Sequence, residues 1–171
     1  MLGGYMGRLL WVDLTTGAMK EETPDESLLR DFVGGYGIGA RLLYSRMRPG
    51  TDPLGPGNIL GITTGPITGS PAPTATRWTV VGRSPLTGGW GDANGSGFFG
   101  QALKCAGYDA VFFTGISPQP VYLFLDDCML SFALPITCGA AIAMRSRIGS
   151  RASWGKTSRP PASARPARSW R

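Results

Sequence analysis

Histidine is absent from all 171 residues, which removes the commonest general base and metal ligand at neutral pH. Cysteine is scarce: Cys105, Cys128 and Cys138 show no C-x-x-C spacing and no even count, so neither a zinc site nor a disulfide framework is indicated. The opening Met1-Leu-Gly-Gly-Tyr-Met-Gly-Arg8 lacks the charged head and apolar run of a secretory leader, and a reducing, cytoplasmic setting is expected. Long apolar runs are missing too. Residues 128–144 carry no charge over 17 positions, but Ser131, Pro135 and Thr137 interrupt them and argue against a membrane helix. Acidic residues stop at Asp127: all 11 lie at or before it, with 9 of the 17 basic residues. Residues 1–127 therefore carry net −2 and residues 128–171 carry +8. The basic character belongs to the tail, so net charge gives no reason to assign the body a nucleic-acid partner.

Paired carboxylates, a catalytic triad and a P-loop are also lacking. What the chain has in excess is glycine, proline and threonine between Gly61 and Gly107: Gly61-Ile-Thr-Thr-Gly-Pro-Ile-Thr-Gly69, Ser70-Pro-Ala-Pro-Thr-Ala-Thr-Arg77 and Asp92-Ala-Asn-Gly-Ser-Gly-Phe-Phe-Gly100. Glycine lets backbone approach a ligand closely and turn through positive φ. The few functional side chains kept there, Arg77 and Asn94 above all, offer a forked cation and a polar amide. The stretch reads as a backbone-lined receiver for an anion.

The flanking chain reads as scaffold. Gly7–Asp13 and Ala18–Glu22 have strand composition around the turn residues Leu14-Thr-Thr-Gly17, which makes an opening hairpin. Thr23-Pro-Asp-Glu26 reads as a helix start, with Thr23 as N-cap, Pro24 in the first turn and Glu26 closing a capping box. Gly34-Gly35 ends that helix, and a second runs from about Gly37 to Met47. Asn58–Thr63 and Arg77–Gly82 read as strands bracketing the Pro-rich loop, and Ala110–Gly115 and Val121–Leu125 as two more. Phe98, Phe99, Ala102, Leu103 and Ala106 have helical spacing up to Gly107. The expected fold is α+β: a strand-rich domain with two β-sheets and a few short helices over residues 1–127, followed by a disordered tail over 128–171. The tail, Arg-rich with Lys156 as its one lysine, admits three readings: a basic arm, a solvated low-complexity segment, or a stretch translated out of frame.

Gly95-Ser-Gly97-Phe-Phe-Gly100 matches the G-x-G-x-x-G pattern and opens a helix. Its context fails: no buried strand leads into the first glycine, and no acid stands about 20 residues on. The residues support either an anion site at the helix start, Gly95 to Phe98, or an ordinary glycine turn with Asn94 or Ser96 as N-cap. Arg77 is suited to phosphate, and equally to a surface salt bridge. Arg83 and Lys104 read as solvated charges and Cys105 as a small buried hydrophobe.

Taken in order, Gly7-Arg-Leu-Leu-Trp-Val-Asp-Leu-Thr-Thr-Gly17, Phe32-Val-Gly-Gly-Tyr-Gly-Ile-Gly39, Asp52-Pro-Leu-Gly-Pro56, Thr64-Gly-Pro-Ile-Thr-Gly69, Ser84-Pro-Leu-Thr-Gly88, Ala93-Asn94 and Leu103-Lys-Cys-Ala-Gly-Tyr-Asp109 resemble the N-terminal domain of aldehyde ferredoxin oxidoreductases, from about Tyr5 to Asp126. The resemblance implies a pair of β-sheets forming a base for a tungsten or molybdenum bis-pterin cofactor. In the whole enzymes this works with a [4Fe-4S] cluster to oxidise aldehydes to carboxylates and reduce ferredoxin. It implies that Arg77 lies between a pterin phosphate and the cluster. It implies also that the Asn94 backbone carbonyl helps hold a magnesium ion joining the two phosphates, with Gly95, Ser96 and Gly97 beside the cofactor. Magnesium takes few protein ligands beside phosphates, and pterin sulfurs ligate the redox metal, so a domain without histidine can serve a metalloenzyme. The chain departs from the family pattern in having Ala75-Thr76 before the arginine and the order Asn94-Gly95-Ser96-Gly97. The likeness stops at Asp126-Asp127, before the helical domains that carry the cluster cysteines, which implies a truncated or frameshifted reading frame that is inactive alone. The other reading of the residues is a non-catalytic module binding a phosphorylated ligand, or nucleic acid through the tail.

Overall fold

The computed structural model of the chain describes residues 3–126, 129–133 and 141–145. Chain order is β1 (Leu9–Asp13), β2 (Met19–Glu22), α1 (Glu26–Phe32), α2 (Tyr36–Arg46), β3 (Leu60–Thr64), β4 (Trp78–Arg83), β5 (Trp90–Gly95), α3 (Phe98–Cys105), β6 (Ala110–Thr114), β7 (Tyr122–Asp126), β8 (Met129–Ala133) and β9 (Ala141–Arg145). Six strands form one mixed sheet in the order β2-β1-β6-β3-β4-β5, and three form a second in the order β8-β7-β9. This is the expected α+β class with two sheets.

The larger sheet is buried on both faces. On one side Leu9, Ile59, Val81 and Phe112 pack against Leu29 of α1 and Ile38, Leu42 and Leu43 of α2. On the other, Leu10, Val12, Ile62, Val111 and Phe113 meet Leu103 of α3 and Leu123 and Leu125 of β7. Strand β6, Ala-Val-Phe-Phe-Thr, sits between β1 and β3 and is apolar on both faces, as a strand covered on both sides must be. Each of these side chains contributes roughly 1.5–3 kcal/mol by leaving water.

Local chemistry shifted several boundaries. Helix α1 starts at Glu26 with Asp25 as N-cap and no side-chain cap bond, so the capping box expected on Thr23 does not form. The Glu26 carboxylate accepts instead from Arg30 one turn on, at 2.7 Å. Strand β5 was not foreseen, because Trp-Gly-Asp-Ala-Asn-Gly is rich in residues depleted from strands. It forms as an edge strand, paired along its whole length with β4. The second sheet pairs β7 with β8 and β9, which lie beyond residue 127. The reason lies in β7: Leu123 and Leu125 are buried, and a strand held in a core needs ladder partners on its own backbone. The rest of 128–171, including Cys128 and Cys138, lies outside the described residues.

Tyr108 closes the α3–β6 turn and donates to the Glu21 carboxylate on β2. Burial, and then the bond to Glu21, push its phenol up to about 12. The protonated form is favoured in the folded chain, so its stabilising contribution is complete below the ordinary phenol value near ~10. It is lost as pH rises from there through about 12. Urea midpoints should fall across that window and fall less in Tyr108→Phe; equal slopes in the two proteins would contradict this.

Candidate functional site

Strands β3 and β4 are antiparallel neighbours, and residues 65–77 join them at one end of the sheet. That loop is tied internally: the Gly69 amide donates to the Ala75 carbonyl at 2.9 Å, and Thr68 Oγ1 donates to the Arg77 carbonyl at 2.8 Å while accepting from the Gly65 amide. The α1–α2 turn docks on the same end of β3. The Gly35 amide donates to the Thr64 carbonyl at 3.0 Å, and Thr63 Oγ1 donates to the Gly35 carbonyl at 2.9 Å. Gly34 is required there: a Cβ on it would stand 2.7 Å from the Thr64 carbonyl oxygen and 2.9 Å from the Gly65 α-carbon. Beside it Val33 is held at φ 57, a region β-branched residues avoid.

Between loop and turn lies a cleft of about 520 Å³ lined by residues 33–36, Thr63, 65–68, 77–79 and Asn94. No Asp or Glu lines it. Arg77, placed just before β4, has its side chain exposed, and among the described residues its guanidinium has no hydrogen-bond or ion-pair partner. Asn94 stands opposite Thr79 in the β4–β5 ladder. Its Oδ1 accepts from Thr79 Oγ1 at 3.1 Å and its Nδ2 donates to the Tyr36 hydroxyl. The 11-residue α2 begins at Tyr36, so the positive end of a helix dipole opens on the cleft beside Arg77. The cation and the side-chain hydroxyls that line the cleft, with the helix start beside them, suit an anion.

Of the five residues expected from sequence, the structure brings Arg77 and Asn94 to this cleft, while Gly95, Ser96 and Gly97 do not line it. A Cβ on Gly95 would overlap the Trp78 ring at 2.3 Å, and the Ser96 carbonyl accepts from Trp78 Nε1 at 3.3 Å. Packing against Trp78 therefore accounts for the glycine at 95. Gly97, at φ 91, is the N-cap of α3. The helix start that faces Arg77 is the one at Gly35, which the sequence reading treated only as a helix stop. Tyr36 was missed as well; the signal was a glycine pair followed by a hydroxyl at a helix N-terminus.

Behind the cleft runs a strap, Gly4 to Gly7, held by a buried ion pair. Lys104 and Asp109 side chains are 6% and 3% exposed, with Nζ to Oδ1 at 2.6 Å. Lys104 also donates to the Gly4 carbonyl at 2.8 Å, and Asp109 accepts from the amides of Met6 and Gly7 at 3.1 and 2.7 Å. Tyr5, within the strap, donates to the Val33 carbonyl at 2.6 Å, and burial followed by the nearby Asp109 charge raises its phenol. Lys104 is thus structural and not solvated. Arg83 likewise ties loops, donating to the carbonyls of Gly88 and Thr51 at 2.7 and 2.5 Å. Among the described residues no group of three or more Cys, Asp or Glu side chains is placed to hold a metal ion, and no helix is long and apolar enough to cross a membrane.

Sheet, loop and cleft form a β-rich platform whose cleft is lined by a cation and a helix start. The family profile described as aldehyde ferredoxin oxidoreductase, N-terminal domain, matches residues 9–155. The chain belongs to the aldehyde ferredoxin oxidoreductase family, as its N-terminal domain. It is 45% identical over 124 residues to the tungsten-containing aldehyde ferredoxin oxidoreductase of Pyrococcus abyssi, covering 72% of this chain and 20% of the relative. The enzyme of that name from Thermococcus kodakarensis is 47% identical with the same coverage. An aliphatic sulfonate oxidoreductase, WOR-like subunit, of Pyrococcus furiosus is 40% identical over 71% of this chain and 20% of its own length. Among solved structures, the active-site complex BamBC of benzoyl coenzyme A reductase with 1,5-dienoyl-CoA superposes with a TM-score of 0.76 at 33% identity, covering 78% of this chain and 20% of that one. The chain therefore spans about a fifth of the length of these relatives.

Proposed function

We propose that this chain is the cofactor-base domain of a tungsten or molybdenum bis-pterin oxidoreductase of the aldehyde-oxidising type. The observation that carries the proposal is Arg77: a forked cation with no protein partner among the described residues, in a cleft without acids, facing the start of α2. This donor set fits the phosphates of such a cofactor. Arg77 would hold a phosphate by paired charge-assisted hydrogen bonds, with the α2 start adding fixed positive potential. The family resemblance implies that the Asn94 backbone carbonyl, on edge strand β5, would help hold a magnesium ion beside the phosphates, a role separate from the two side-chain hydrogen bonds. Gly95, Ser96 and Gly97 continue from that position into α3 and form the neighbouring margin of the site. When bound, the cofactor supplies the two-electron oxidation of an aldehyde to a carboxylate. The chain's own part is to bind and orient it.

In this reading the [4Fe-4S] cluster, its cysteine ligands and the docking of ferredoxin belong to the helical domains that complete the enzyme, and the protein works in the cytoplasm without membrane or nucleic-acid partners. Relatives named for aldehyde, sulfonate and benzoyl coenzyme A chemistry share this domain, so substrate choice is assigned to the remaining four-fifths. The domain alone should not turn over. Purified chain supplied with metal-pterin should give no aldehyde-dependent reduction of a viologen dye; steady reduction would overturn that assignment.

A further inference from the structure

Tyr36 has no role in the assignment of Arg77 and Asn94, yet it lines the same cleft. It is the first residue of α2, its side chain is partly open to solvent, and it lines the cleft with Arg77 and Asn94. The hydrogen bonds around it have a direction. Thr79 Oγ1 donates to Asn94 Oδ1, and Asn94 Nδ2 donates to the Tyr36 oxygen. A phenol oxygen that accepts from an amide retains its own proton as a donor, and among the described residues that proton has no acceptor. The chain of donors therefore ends on an O–H facing a cleft without carboxylates.

Building on the reading of the cleft as a phosphate receiver, we propose that Tyr36 is a ligand-contacting residue: its hydroxyl donates to an oxygen of the bound phosphate or diphosphate alongside Arg77. Asn94 acts through its side chain as the positioning residue that aims it. This gives Asn94 a task separate from any its backbone carbonyl performs. With its oxygen already accepting from Asn94, the hydroxyl offers its proton to an acceptor, and a cleft that holds Arg77 and lacks acids favours an oxyanion as that acceptor. Ordered donors of this kind cost no rearrangement on binding.

The test is isothermal titration of the full chain with magnesium pyrophosphate, using wild type, Tyr36→Phe, Asn94→Ala and the double variant. Tyr36→Phe keeps the ring and removes one hydrogen bond to a charged acceptor, which should weaken binding by about tenfold or more while the melting temperature stays within a degree or two of wild type. Asn94→Ala should weaken binding in the Tyr36 background and change it little in the Tyr36→Phe background. That coupling is one a purely structural role for Asn94 would not produce. Equal affinity of wild type and Tyr36→Phe, with wild type binding, would overturn this inference and leave the phosphate reading standing. Independent losses in the two single variants would overturn the positioning role of Asn94. No binding by wild type would overturn the phosphate reading and the inference together.

Discussion

Asp109→Ala should destabilise the chain by about 3–5 kcal/mol, enough to unfold much of the population at 25 °C given the usual margin of ~5–15 kcal/mol. The size follows from what the carboxylate does in a site where it is 3% exposed. It neutralises Lys104 at 2.6 Å and accepts from two strap amides. Removing it leaves a buried ammonium, the buried Gly7 N–H and the part-buried Met6 N–H without that acceptor. Lys104→Met leaves the carboxylate with its two amides and should cost less, because carboxylate-to-amide bonds persist. Asp109→Asn keeps an acceptor and should fall between the wild type and the alanine variant. Urea denaturation followed by tryptophan fluorescence measures all three; an Asp109→Ala midpoint equal to wild type would show that the pair contributes nothing net. Amide exchange should quicken at residues 4–7 and also at 33–35, because Tyr5 connects the strap to the Val33 carbonyl.

The second large effect is on binding and leaves stability alone. Arg77→Ala should lower affinity for magnesium pyrophosphate by about ten- to a hundredfold, the loss expected for charge-assisted hydrogen bonds worth ~1.5–3 kcal/mol. Folding should be unaffected, since Thr68 holds position 77 through its backbone carbonyl and the guanidinium makes no bond within the described residues. Arg77→Lys should recover part of the affinity: the charge returns and the fork does not. A drop in melting temperature matching the drop in affinity would indicate that Arg77 is a structural residue after all.

These two residues mark what could be read from sequence and what could not. The place of Arg77 beside a Gly- and Pro-rich loop was legible, and the structure puts it in the cleft that loop borders; the choice between phosphate and a salt bridge was left open by the residues alone. The strands with β-branched or aromatic composition, β1, β3, β4, β6 and β7, were legible for the same kind of local reason. Lys104 was not: its ion-pair partner Asp109 is near in sequence, but the Gly4 carbonyl and the strap that bury the pair come from about 100 residues earlier in the chain, and nothing local distinguishes a buried lysine from a solvated one. Strand β5 was hidden because its pairing with β4 overrides the poor propensity of Gly91, Asp92 and Asn94. The glycine pattern at 95–100 drew attention to the start of α3, whereas the helix start that lines the cleft with Arg77 is that of α2 at Gly34-Gly35-Tyr36. Only the fold shows that Gly95 is a packing glycine under Trp78 and that Gly34 is a docking glycine on Thr64. A second cleft of about 570 Å³, lined by Leu54, Leu60, Ile62, Phe99 and Phe113 among others, is largely apolar and lacks the charge an anion needs.

The most direct measurement of the central claim is therefore a location. Titrating ¹⁵N-labelled full chain with magnesium pyrophosphate should shift the amides of Gly34, Gly35, Tyr36, Gly65, Thr79 and Asn94 and the Arg77 side-chain Nε–H, while Leu54, Leu60 and Ile116 stay in place. Shifts confined to the arginines between 145 and 171, with the Arg77 cleft silent, would contradict the account and return the chain to the class of modules that bind polyanions through a basic tail.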